Sequence, residues 1–147
     1  MARRSPGALR ALLKSAGRNA GKIRPIDGLS NGTNAAIARL ERGQPGIGSV
    51  ATALDGYRRT IRRSGRWLDL SPDNCPCPGC GNAVEQRDVL GDALRRLPAA
   101  ARRELQRVVD PLDEEFLRKT LPDPRAAKLS SWHAQAWWRQ RLTERWT

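Results

Sequence analysis

The sequence is poor in the residues that carry most enzyme chemistry. Histidine occurs once and cysteine three times among 147 residues, and methionine, tyrosine and phenylalanine once each. A lone imidazole leaves no partner for a base-assisted nucleophile elsewhere. P-loop, G-x-S-x-G and H-E-x-x-H motifs are absent, so the sequence points to a non-enzyme. No apolar run approaches about 18 residues, which argues against a transmembrane helix. The segment Met1 to Lys22 lacks the apolar stretch of a secretory signal. An odd number of cysteines speaks against a disulfide framework and for a reducing, cytoplasmic setting. Strand-like alternation and internal repeats are missing too, so the expected fold is all-α.

What the chain has in excess is positive charge. Lys and Arg number 27 against 15 Asp and Glu, a net of +12. That excess implies a polyanionic partner, nucleic acid ahead of an anionic membrane surface. Only 4 of the basic residues are Lys. Arg donates two parallel hydrogen bonds to a phosphate. Coding bias in a GC-rich genome also favours Arg over Lys, but it does not produce a net charge. Residues 1–67 hold 14 Lys and Arg against 3 Asp and Glu, net +11. Residues 68–147 hold 13 against 12, net +1. This asymmetry suggests a basic helical nucleic-acid-binding region over 1–67 and a neutral helical region over 68–147.

Apolar spacing predicts a first helix over 8–16. An irregular, Gly- and Pro-punctuated stretch should follow as far as Gly32. Thr33 is a candidate cap for a helix ending at Gly43, and Ser49 for one carrying Val50, Ala53, Leu54, Tyr57 and Ile61. Val89, Leu90, Ala93, Leu94 and Leu97 form an amphipathic stripe, and Pro98 opens the next helix. Asp110-Pro111 followed by acids predicts a further helix start, and Leu121-Pro-Asp-Pro124 a stop. A last helix is expected from Ser130 or Ser131, with Trp138, Leu142 and Trp146 on one face.

Cys75, Cys77 and Cys80 lie within six residues. Cys77-Pro-Gly-Cys80-Gly81 resembles the knuckle of zinc ribbons and rubredoxin-like sites, in which a tight turn brings two thiolates to one cation. The resemblance implies a structural Zn2+, with His133 as the candidate fourth ligand. Asp73, or a ligand from a second chain, is the alternative. A redox Cys-x-x-Cys pair is the competing reading, disfavoured by the third cysteine. Pro76-Cys77-Pro-Gly-Cys80 also matches half of the zinc deaminase signature. The other half, H-x-E, is missing, since His133 is followed by Ala134 and Gln135.

Thr33-Asn-Ala-Ala-Ile-Ala-Arg-Leu-Glu-Arg-Gly43 resembles the reading helix of the Cro/repressor-type helix-turn-helix family, through Thr33, Ile37, Leu40, Glu41 and Gly43. The resemblance spans about residues 8–60, with Pro25 and Gly28 interrupting the place of the family's second helix. It implies that Asn34 and Arg39 face bases, beside Ala35 and Ala38. Independently of it, Arg58, Arg59, Arg62, Arg63 and Arg66 crowd the end of a helix, where 58, 62 and 66 would share one face. Arg3 and Arg4 form a basic arm, and Arg42 extends the basic surface. Trp132, Trp137, Trp138 and Trp146 crowd the last residues; Trp137 is the candidate partner-facing one. The expected function is therefore nucleic-acid binding, DNA before RNA and regulatory. A protein-interaction adaptor and an RNA- or ribosome-associated protein are the alternatives.

Overall fold

Most elements of the fold are set by where apolar stripes stop and polar caps begin. The structure is a computed structural model and describes residues 25–43, 49–63, 65–68, 83–128 and 135–142. Among these it contains four α-helices: α1 (Asn31–Gly43), α2 (Val50–Ile61), α3 (Ala83–Arg96) and α4 (Ala99–Arg118). A two-stranded antiparallel pair, β1 (Leu121–Pro122) and β2 (Arg141–Leu142), is the exception to an otherwise helical architecture.

α1 starts earlier than its sequence suggests. The hydroxyl that accepts the free Thr33 N–H, at 3.2 Å, belongs to Ser30, so Ser30 and not Thr33 is the cap. Thr33 is buried instead. Before the helix, the chain turns at Gly28, whose φ of +86° suits glycine. The expected irregular stretch holds over 25–30. α2 begins as its sequence indicates, with Ser49 accepting from the Thr52 N–H at 3.2 Å. Glu41 of α1 accepts the Val50 N–H at 2.7 Å and ties the two helices at their joint.

α2 and α3 make the most extensive helix contact. They approach closely at Gly56, where a Cβ would overlap the Gln86 amide. α4 runs unbroken through Pro111, contrary to the expected helix start at Asp110. A proline there lacks the N–H that would bond the carbonyl four residues back. Leu105, Val109, Leu112 and Phe116 keep one buried stripe running past it, while Pro111 faces outward. Burying each such side chain contributes about 1.5–3 kcal/mol, enough together to offset the lost bond.

The expected last helix is also corrected. Trp137–Gln140 form a 3₁₀ turn, and the chain then extends to pair Leu142 with Leu121. The tighter turn seats adjacent tryptophans: Trp138 is buried, and Trp137 packs edge-on to Phe116 at 5.7 Å. One hydrophobic cluster joins Ile26, Ile37, Leu54, Tyr57 and Ile61 with Leu90, Leu105, Phe116 and Trp138. The charge boundary at residue 67 therefore lies across a shared core.

Candidate nucleic-acid interface

The apolar stripe of α2 turns Val50, Leu54, Tyr57 and Ile61 inward, so Arg59 and the residues that follow the helix are left outside. The helix ends at Ile61, with Arg62 as its C-cap. The face expected to run from Arg58 through Arg62 to Arg66 therefore stops at Arg62, because Arg66 lies beyond the helix. The chain bends there at Gly65, with φ +129°. Arg66 stacks instead over the Trp67 ring, 5.1 Å from its centroid.

This segment is held from the far end of α4. The Lys119 ammonium donates to the carbonyls of Ile61 at 2.6 Å and Arg63 at 2.9 Å. A cation on the last carbonyls of a helix satisfies orphan acceptors and complements the helix dipole. Buried Leu68 donates its N–H to the Lys119 carbonyl at 3.3 Å and closes the loop. Arg62, Arg63 and Arg66 thus project from a pinned backbone. Arg58 is half-buried and lies 3.8 Å from Asp55. Among the described residues, no carboxylate lies within ion-pair distance of Arg59, Arg62, Arg63 or Arg66.

On α1, Ala35, Arg39 and Arg42 form an exposed stripe. Asn34 does not serve as a free base-reading amide. Its Oδ1 accepts the Ile26 N–H at 2.9 Å and its Nδ2 donates to the Ile26 carbonyl at 3.2 Å, so the side chain staples the preceding turn. α1 packs on α4, where Glu104 accepts both the Ser30 N–H and the Ser30 hydroxyl at 2.9 Å. These bonds hold the Glu104 carboxyl below its ordinary value.

A second polar cluster, which the sequence pattern does not announce, sits inside the core. Arg87 of α3 donates from Nε to Asp113 Oδ1 at 2.9 Å and from Nη2 to Oδ2 at 3.1 Å. The Tyr57 hydroxyl donates to the same carboxylate at 2.8 Å. Burial, and then the Asp113 charge, push the Tyr57 hydroxyl far above its ordinary range. The Arg87 guanidinium lies over the Trp138 ring, 4.2 Å from its centroid. Trp138 in turn donates to Asp88 at 2.6 Å, and Arg139 pairs with Asp88 as well. Arg, Asp and Tyr far apart in sequence carry no local signature; only helical spacing that turns position 87 inward beside Leu90 and Leu94 hints at it.

Arg3, Arg4, Cys75, Cys77, Cys80 and His133 lie outside the described residues. Among the described residues, no group of three or more His, Cys, Asp or Glu side chains is placed to hold a metal, and no helix is long and apolar enough to cross a membrane. Trp137, the candidate partner residue, is half-buried against Phe116 and Trp138. Compared with known family models, curated proteins and solved structures, the chain matches none.

Proposed function

We propose that this chain is a nucleic-acid-binding protein, regulatory and directed to DNA before RNA. Arg59, Arg62, Arg63 and Arg66 hold backbone phosphates, with Arg39 and Arg42 on α1 and Arg3 and Arg4 as an arm extending the contact. The observation that carries this reading is a set of exposed arginines on a pinned helix end, with no carboxylate to neutralise them among the described residues. Phosphates supply the missing counter-charge and release condensed cations when they do. Base reading rests on Arg39, since the Asn34 amide is engaged.

Zn2+ on Cys75, Cys77 and Cys80, with His133 as fourth ligand, belongs to the same proposal. Three thiolates and an imidazole are a structural zinc set. Support comes from the flanking elements: α3 begins three residues after Cys80, and Asp88 of α3 bonds Trp138, five residues after His133. The metal would fasten the start of α3 to the C-terminal segment and perform no reaction. The zinc-loaded protein should contain one zinc per chain by elemental analysis and melt lower after chelation.

Fluorescence anisotropy against labelled duplex DNA and structured RNA, at low and physiological salt, tests the binding. Affinity for DNA that persists at physiological salt and falls steeply as salt rises is the expected result. No binding at low salt overturns the proposal, and a preference for structured RNA moves it to the RNA-associated reading.

A further inference from the structure

Trp67 lies in the same short stretch as Arg62, Arg63 and Arg66, and phosphate contacts leave its ring without a role. It is 39% exposed, the one exposed aromatic among the described residues. Tyr57, Phe116 and Trp138 are buried, and Trp137 is half-buried against Phe116. Trp67 is not the anchor of its segment, because the neighbouring Leu68 is buried in the core. The backbone that carries the ring is fixed on both sides by one residue of α4. Lys119 donates its ammonium to the Arg63 carbonyl at 2.9 Å, and its carbonyl accepts the Leu68 N–H at 3.3 Å. Arg62, Arg63 and Arg66 are exposed and, among the described residues, have no carboxylate within ion-pair distance.

We infer that Trp67 stacks on an unpaired base, so that the nucleic acid is single-stranded where it crosses the end of α2. The inference rests on the nucleic-acid reading above and adds the form of the strand. Positive charge attracts phosphate in any form. The ring chooses among the forms. A duplex turns phosphates, sugars and base edges outward and keeps the faces of its bases stacked inside. An unpaired strand offers a base face to an indole, and that stack tolerates any sequence. In the free protein the Arg66 guanidinium lies over the ring, 5.1 Å from its centroid. Both groups are exposed, and at exposed sites a cation–π contact is weaker than a base stack. The base therefore takes the ring, and Arg66 turns to a flanking phosphate. An anionic lipid surface would want an apolar helix face beside the arginines. The apolar stripe of α2 is turned into the core instead.

Fluorescence anisotropy of the full chain tests this with labelled DNA probes of equal length at one low salt concentration. The probes are a single-stranded oligothymidine, the same backbone made abasic throughout, and a duplex. Trp67→Leu keeps apolar bulk and removes the π-face, and should weaken oligothymidine binding about five- to hundredfold. Its affinity for the abasic strand and the duplex should not change. Trp67→Phe should restore most of the oligothymidine affinity. If Trp67→Leu fails to fold, the wild-type chain decides. Irradiation of its complex with an iodouracil-substituted strand should attach that base to Trp67, as mapped by mass spectrometry of the crosslinked peptide. Equal losses on every probe would make Trp67 a support for the arginines and overturn the inference. No loss on any probe, or a crosslink away from Trp67, overturns it too. So does a loss confined to vesicles of phosphatidylserine, which would assign the ring to a lipid surface. Absence of all DNA binding by the wild-type chain overturns the nucleic-acid reading and this inference together, whereas DNA binding that ignores Trp67 overturns this inference alone.

Discussion

Arginine appears in this protein in two opposite settings. Arg87 is sealed in the core, its charge matched by Asp113 and its plane covered by Trp138. Arg59, Arg62 and Arg63 stand in solvent at the end of α2 with no carboxylate in reach among the described residues. The two settings differ in what removal of the side chain would disturb. The buried arginine cannot lose its partner without leaving a charge stranded in a low-dielectric interior. The exposed ones are solvated already and contribute little to folding. The net charge of the first half is therefore not a consequence of how the chain folds.

The largest effect expected from this contrast is on the buried side. Asp113→Ala strands the Arg87 charge and leaves the Tyr57 hydroxyl without its acceptor, and should cost about 3–5 kcal/mol in urea unfolding. A loss near zero would mean that water or a ligand takes over the carboxylate's role. Next comes the exposed side. Replacing Arg59, Arg62, Arg63 and Arg66 together with Ala should leave stability within about 0.5 kcal/mol. The same variant should weaken DNA binding roughly ten- to hundredfold and lower the salt slope by about 3 to 4. If it unfolds while DNA affinity per folded molecule holds, the contrast is broken.

Two smaller effects concern the joint between α1 and α4. Ser30→Ala removes both the cap of α1 and a bond to Glu104, and should cost about 1 kcal/mol by the same unfolding assay. The smallest effect is a pH dependence. The Glu104 carboxyl is held below its ordinary value of 4.5, first by the Ser30 backbone N–H and then by the Ser30 hydroxyl. A lowered folded value means a stabilisation that is complete above the ordinary value and lost as pH falls through the lowered one. Glu104→Gln should therefore differ from wild type above about pH 4.5 and converge with it in stronger acid. Urea midpoints measured across that range provide the check.

Features governed by near neighbours along the chain are legible in the sequence alone. Ser49 opens α2, Gly43 is the last residue of α1, and the apolar stripe over 89–97 belongs to α3. Each depends on a hydroxyl, a glycine or an apolar period acting within a few residues. Features governed by distant partners are not legible in this way. Asp110-Pro111 carries a sound local start signal, yet the stripe from Leu105 to Phe116 packs on the core as one piece and overrides it. Trp138 and Leu142 have helical spacing, but Asp88 and Leu121 claim them and the chain becomes a 3₁₀ turn and a strand. At the candidate interface the identity of the exposed arginines is visible in the sequence, and their geometry is not. Lys119 and Gly65, which end the helix and bend the chain, act from beyond the arginine-rich pattern. Asn34 shows the same gap, since a polar residue on a helix reveals nothing of the turn it secures.

The bond from Lys119 to Ile61 spans 58 residues. On a ribosome the chain emerges from its N-terminus, so the last turn of α2 is synthesised well before the ammonium that fastens it. Until Lys119 clears the exit tunnel, the carbonyls of Ile61 and Arg63 lack the ammonium that bonds them in the folded chain. The grip on α2 is thus the product of a late event in synthesis, and its arginines gain their fixed spacing only after the far end of α4 has been made.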